Sequence, residues 1–314
     1  MAVVVTGAAG FIGRNLVALL AARGLDVVGI DRRLGTSAGG TPGVAAELRA
    51  DLADALPGPI DDALAEADAV FHLAGRAGAR DEGAPAAELA RLRLHDNVLA
   101  AERVLARVKR QVPLVVVSSS SVYGGAGTGG RPSREDDQLH PLGGYAGSKV
   151  ALERRCAARA AAGGLVAVAR PFTVAGEGQR PDMAIARWLA AAAGEPLTVL
   201  GGTGRRRDVT DVQDVAEGLL RMAELAVTGP VNLGTGAART LGELVAAVGA
   251  ALGVTPEITV LPAGQEDPAA TLADTGRCRR LLGFVPRTDL AALVRRQAAA
   301  TGARGACRLQ MEPT

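Results

Sequence analysis

Apolar and polar positions alternate along this chain with two different periods. Short apolar runs recur at 2–6, 26–30, 69–74, 114–118 and 165–170. Between them, 11–23, 86–109 and 145–162 carry apolar positions at helical spacing. Continuous β-branched runs suit strands buried on both faces, and the helical segments suit the crossovers that parallel strands require. The alternation predicts an α/β fold, a doubly wound parallel sheet with helices on both faces. After Pro171 the pattern loosens. Gly, Pro and charged residues cluster at 176–182, helices are expected at 184–193, 212–225, 240–252 and 290–300, and VNLG at 231–234 reads as one more strand.

Composition narrows the picture. The chain has 314 residues, 48% hydrophobic but only 2% aromatic, so its core is built from Ala, Val and Leu. A formal net charge of +2 gives no reason to expect nucleic acid or an acidic membrane surface as partner. Cys156, Cys278 and Cys307 are odd in number and widely spaced, which suggests neither a disulfide framework nor a metal site. The apolar start MAVVVTGAAG is too short for a signal segment, and no run reaches membrane-spanning length. A cytoplasmic chain is expected. The tail RGACRLQMEPT (304–314) lacks periodicity and is expected to be disordered.

TGAAGFIG (6–13) follows the first strand and opens the first helix, with glycines at Gly7, Gly10 and Gly13. In that context the loop, with Phe11 and Ile12, is expected to cradle a dinucleotide pyrophosphate at the helix N-terminus. The next strand ends in Ile30-Asp31, and an acid there can accept hydrogen bonds from the adenosine ribose, which favours NAD over NADP. Arg32 and Arg33 follow at once and could hold a 2′-phosphate, so that preference stays open. Asp51 and Leu52 are expected at the adenine. HLAG, with Leu73, Ala74 and Gly75, should let the cofactor backbone lie close, while His72 reads as structural.

VVVSSSSVYGG (115–125) places four serines where a buried strand ends, the edge at which open α/β sheets bind ligands. YAGSK puts Tyr145 and Lys149 four residues apart on one helical face. A phenol is a weak base because its pKa is near 10, but an ammonium and a positive nicotinamide ring both favour the phenolate. Tyr145 can then take a proton from a substrate hydroxyl.

These motifs resemble the extended short-chain dehydrogenase/reductases of the nucleotide-sugar epimerase/dehydratase family, from TGAAGFIG through RRLLGF at 279–284. The resemblance implies a Rossmann-type domain at 1–172 plus 205–234. It implies a smaller α/β nucleotide-sugar-binding lobe at 173–204 plus 235–314. In the family the catalytic hydroxyl lies four residues before the tyrosine of VYG. Here that tyrosine is Tyr123, so the resemblance implies Ser119 as the partner of Tyr145 and Lys149. Ser118 is then structural, and Ser120 and Ser121 face the sugar. Asn97 matches a family asparagine beneath the site. Asn97, Tyr145, Lys149 and Pro171 are also implied as cofactor contacts.

Relatives that dehydrate a sugar carry Asp-Glu after the catalytic hydroxyl, and decarboxylases carry a Glu at the second position. Ser120 and Ser121 lack any acid, which favours epimerisation at C4. RPFTVAGEGQRPDMAIARW (170–188) resembles a segment frequent in UDP-glucuronate 4-epimerases, implying Thr173 and Arg187 at the substrate. Arg207 carries over as a diphosphate ligand, a role suited to a guanidinium fork. Arg76 and Arg80 lie in a loop near the sugar, where either could pair with a substrate carboxylate. Pro171, Ala175 and Glu177 depart from the family pattern. Gly264 stands where an arginine often serves as a phosphate anchor. The resemblance implies an NAD-dependent UDP-sugar 4-epimerase and a homodimer. UDP-glucuronic acid is the favoured substrate, with UDP-glucose or UDP-N-acetylglucosamine next. The alternatives are a dehydratase or decarboxylase, a 4-ketosugar reductase, and a non-enzymatic NAD(P)-binding sensor.

Overall fold

The structure, a computed structural model, describes residues 1–34, 42–78, 84–191 and 195–302. Arg80, Cys307, the tail from 304 and the end of the helix expected at 184–193 lie outside these residues. The first half runs β1 (Ala2–Thr6), α1 (Phe11–Ala22), β2 (Asp26–Ile30), β3 (Ala46–Leu48), α2 (Gly58–Glu66), β4 (Ala69–His72), α3 (Ala86–Leu94), α4 (Ala100–Arg107), β5 (Leu114–Val117), α5 (Gly143–Ala161) and β6 (Val166–Pro171). The second half runs β7 (Thr173–Ala175), α6 (Ala184–Ala191), β8 (Leu197–Leu200), β9 (Arg206–Asp211), α7 (Val212–Glu224), β10 (Gly229–Leu233), β11 (Ala238–Thr240), α8 (Leu241–Leu252), β12 (Ile258–Leu261), α9 (Gly276–Leu282) and α10 (Leu290–Ala300).

Among the described residues the main sheet has seven strands in the order β10-β6-β5-β4-β1-β2-β3, each pair parallel. The strand order reverses beside β1, so β1 and β4 border the crevice where such sheets bind ligands. The valine runs are explained by burial on both faces. Val3, Val5 and Val115 pack with Leu16, Leu20 and Leu219 of α1 and α7. Their neighbours Val4, Leu114 and Val116 pack with Val104 and Leu152 of α4 and α5 on the other side. A separate core of Trp188, Leu197, Val209, Leu244 and Leu293 holds the smaller lobe together.

Two expectations come out differently. The single helix expected over 86–109 is divided by a π turn at His95–Leu99. Within this wider turn the polar residues Asp96 and Asn97 are both buried, at 3% and 1% exposure. Within 205–234, expected to return to the main sheet, β10 joins that sheet, whereas β9 pairs with β7 and β11 in a three-stranded sheet. The elements β7, β8, β9, β11, β12, α2 and α9 are not among those expected from the sequence. No helix among the described residues is long and apolar enough to cross a membrane.

Candidate active site

The glycine loop joins β1 to α1. Gly7 has a left-handed φ of 73°, and a Cβ on it would lie 2.7 Å from the Ala74 nitrogen. A Cβ on Gly13 would lie 2.1 Å from the Gly7 carbonyl oxygen. The glycines thus let loop, helix and the end of β4 meet. Gly10 caps α1 without a side chain, which leaves the first turn of the helix facing the loop, a suitable cradle for an anion. The buried Asp31 carboxylate closes this corner. It accepts hydrogen bonds from the Ala9 nitrogen at 3.2 Å and the Arg33 nitrogen at 3.0 Å. Asp51 accepts from the Ala53 nitrogen at 3.1 Å, with Leu52 buried behind it. Leu73 donates its N–H to the Thr6 carbonyl at 3.1 Å, and Ala74 donates to the Thr6 hydroxyl at 3.3 Å. Glycines, acid and small residues on adjoining strand ends fit a dinucleotide. His72 sits behind them with its Nδ1 2.8 Å from the Thr6 hydroxyl. Burial, helped by the Lys149 charge, pushes its pKa down to about 3, so the imidazole is neutral and structural.

The serine run separates by role. Ser118 turns under the site and donates to the Glu153 carboxylate at 2.6 Å, fully buried. Ser119 caps the 3₁₀ turn Ser120–Tyr123 by accepting from the Ser121 nitrogen at 3.1 Å, and it acts on Tyr145 by drawing the phenol's pKa down. The Ser121 hydroxyl is buried with no partner. Tyr145 and Lys149 lie on the first turns of α5, with the Lys149 Nζ 6.0 Å from the centre of the Tyr145 ring. Gly78 packs against that ring so closely that a Cβ there would come within 2.2 Å of it. Lys149 donates to the Val117 carbonyl at 3.0 Å. Burial lowers its pKa to about 8, against the opposing charges of Cys156 and Glu153. Burial raises the Tyr145 phenol, while the Ser119 hydrogen bond and the charge of Arg180 draw it back down. Asn97 braces the floor by accepting from the Arg76 nitrogen at 2.7 Å and donating to the Ser148 hydroxyl at 2.8 Å.

Behind this surface lies a buried ion pair. Arg170 donates to both Glu153 oxygens, at 3.0 and 2.6 Å, and to the Tyr123 hydroxyl at 2.7 Å. Tyr123 donates in turn to Asn232 at 2.7 Å, tying β6, β10 and α5 into one unit. A cavity of about 520 Å³, with Leu139, Val150, Cys156 and Pro230 among its lining, opens behind α5. None of Ser119, Tyr145 or Lys149 lines it.

The other expected contacts sit on the smaller lobe and its approaches. Pro171 is buried at the end of β6 and Thr173 half-buried on β7. Arg207 is 12% exposed on β9 and pairs with Asp267, which also receives Arg205. Arg187 is exposed on α6. Arg76 lies against Asp96 at 3.2 Å. Arg180, Glu153 and Asp96 carry no signal in the sequence pattern that marks them as part of the site. Arg180 stands seven residues after Thr173 in the segment already singled out, and its effect on Tyr145 is a through-space one that spacing does not display.

Comparison with known proteins agrees with this geometry. The profile of the NAD dependent epimerase/dehydratase family matches residues 3–234. UDP-glucose 4-epimerase of Mycolicibacterium smegmatis is 30% identical over 93% of this chain and 95% of its own. The structure of MoeE5 in complex with UDP-glucose and NAD superposes with a TM-score of 0.84 at 37% identity, covering 96% of this chain and 99% of that one. UDP-glucuronic acid 4-epimerase of Bacillus cereus, in complex with UDP-glucuronic acid and NAD, gives 0.83 at 26% identity over 96% and 99%. Strand, glycine loop, acid and tyrosine–lysine pair therefore have a common explanation: the chain belongs to the NAD-dependent epimerase/dehydratase family, with NAD as its cofactor.

Proposed function

We propose that this protein is a UDP-sugar 4-epimerase and that UDP-glucuronic acid is its preferred substrate. One observation carries the reading. Ser119 draws down the pKa of the Tyr145 phenol, Lys149 Nζ lies 6.0 Å from its ring centre, and the turn that follows offers only the hydroxyls of Ser120 and Ser121, with no acid. Such a site can move one proton at a sugar hydroxyl but lacks the acid that elimination of water calls for. Bound NAD supplies reversible hydride acceptance. Tyr145, aided by Ser119, removes the O4 proton and later returns it. Lys149 keeps a positive charge beside the phenol. The sugar turns over between the two half-reactions as a 4-ketone.

Arg180 favours a uronic acid. The C6 carboxylate of the sugar is carried on C5, adjacent to C4, and Arg180, which draws down the Tyr145 phenol and pairs with Asp182 at 2.9 Å, is the cation proposed to recognise it. Arg207 is the proposed diphosphate anchor, with Thr173 and Arg187 at the sugar nucleotide. A cytoplasmic location belongs to the same reading, as does a domain division at 172, 205 and 234 in which β10 joins the main sheet while β9 packs with the smaller lobe. So does a homodimer through the α3–α5 surface, where Leu94 and Leu99 are 52% and 39% exposed; sedimentation as a monomer at micromolar concentration contradicts it. The test of function is incubation of the purified protein with a panel of UDP-sugars and no added cofactor, with products resolved by NMR and mass spectrometry. A C4-inverted sugar is expected. A 4-keto-6-deoxy sugar or a pentose as main product overturns the proposal.

A further inference from the structure

The π turn at His95–Leu99 directs Asp96 into the corner between the ends of β2 and β4. Its side chain is 2% exposed. One oxygen lies 3.0 Å from Arg32 Nη2 and 3.2 Å from Arg76 Nε, and the other lies 3.0 Å from His95 Nδ1. Arg32 also reaches toward Asp51, at 3.6 Å. Each of the two arginines that follow the ribose-side acid is therefore engaged by a carboxylate. Arg33 folds back on Asp31 at 3.3 Å, and Arg32 is drawn across to Asp96. Burial disfavours the charged Asp96 carboxylate, but the His95 hydrogen bond and the Arg32 and Arg76 charges outweigh it and hold the group below the usual range. A buried charge held by two guanidiniums is a strong constraint on where those guanidiniums point.

That constraint bears on the cofactor. NAD and NADP differ by one phosphate on the adenosine ribose, and an arginine beside the ribose is the usual means of accepting it. Arg32 adjoins Asp31 in sequence and is 49% exposed, and its guanidinium is held by ion pairs with Asp96 at 3.0 Å and Asp51 at 3.6 Å. We propose that Asp96 is a specificity-determining residue for the cofactor: by holding Arg32 in an ion pair, it withholds the guanidinium that would otherwise receive a 2′-phosphate. Asp31 alone then does not set the preference for NAD. Arg76 is engaged by the same carboxylate and serves this corner of the site.

The test is nucleotide competition on the purified holoenzyme, reading how much bound NAD is displaced by NADP against unlabelled NAD. Asp96→Asn removes the charge at nearly constant volume. The NADP-to-NAD competition ratio should rise about tenfold, equivalent to about 1.4 kcal/mol. Adding Arg32→Ala to Asp96→Asn should abolish that rise. Arg32→Ala alone should leave the ratio within about twofold of the starting protein, because the guanidinium is already withheld. A ratio unmoved in a folded Asp96→Asn variant overturns the proposal, as does a rise that persists in the double variant. Should Asp96→Asn fail to fold, the single Arg32→Ala variant still decides. A marked loss of NADP competition there means Arg32 was available all along, and an unchanged ratio supports its sequestration. A ratio is used because a merely structural fault weakens both nucleotides alike.

Discussion

Glu153→Leu removes one partner of the buried ion pair beneath the serine turn and keeps much of the side-chain volume. Arg170 then loses its two contacts at 3.0 and 2.6 Å, and Ser118 loses its acceptor at 2.6 Å. Arg170 and Glu153 are only 4% and 9% exposed, so water does not replace what is lost. Breaking such a pair costs about 3–5 kcal/mol, because the remaining charge is buried without compensation. With about 2.1 cal/mol/K of unfolding entropy per residue, the 314-residue chain has roughly 0.66 kcal/mol/K. The melting temperature should therefore fall by about 5–8 °C. Scanning calorimetry of the single variant and of Glu153→Leu/Arg170→Met measures this. The double variant should recover most of the loss, since it leaves no orphaned charge. A second readout comes from Lys149, whose pKa of about 8 is supported by the Glu153 charge. Without that charge the ammonium loses its proton at lower pH, so the alkaline limb of the activity profile should move down. A single variant melting within about 2 °C of the parent, or a double variant less stable than the single, refutes the reasoning.

Other perturbations address the chemistry and the acid response. Tyr145→Phe keeps the ring and removes the base, so turnover should nearly vanish while UDP-sugar binding, measured by calorimetry, survives. Ser119→Ala should slow turnover by roughly two to three orders of magnitude, and Ser120→Ala far less; a more damaging Ser120→Ala contradicts the assignment of the hydroxyl. Arg180→Gln should raise KM for UDP-glucuronic acid well above any change for UDP-glucose, and equal changes mean that Arg180 does not recognise a carboxylate. His72, with a folded pKa of about 3 against 6.5 unfolded, binds its proton only in the unfolded chain between those values. Its neutral burial is therefore fully compatible with folding above pH 6.5 and destabilises progressively as pH falls toward 3. Between pH 6.5 and 5 the cost is about 2 kcal/mol, and urea midpoints for His72→Gln should lack that component.

Local physics made much of this protein readable from its sequence. The valine runs of β1 and β5 are fixed by burial on both faces, and the strand–glycine–helix junction at 6–13 needs only neighbouring residues. Tyr145 and Lys149 share a face because four residues make about one helical turn. Ser119 was singled out by its distance from Tyr123, through family resemblance rather than through geometry. What depends on chain segments meeting in space was not legible. The Asp96–Arg32–Arg76 cluster and the Glu153–Arg170 pair join residues 17 to 64 positions apart, and the π turn that aims Asp96 inward leaves no mark on the apolar spacing. Arg207 and Asp267 lie 60 apart. A charged residue on a loop looks the same in sequence whether it is solvated or paired. Only packing, by excluding water from one side of each carboxylate, decides which arginine it holds and which functional group that arginine is left to serve.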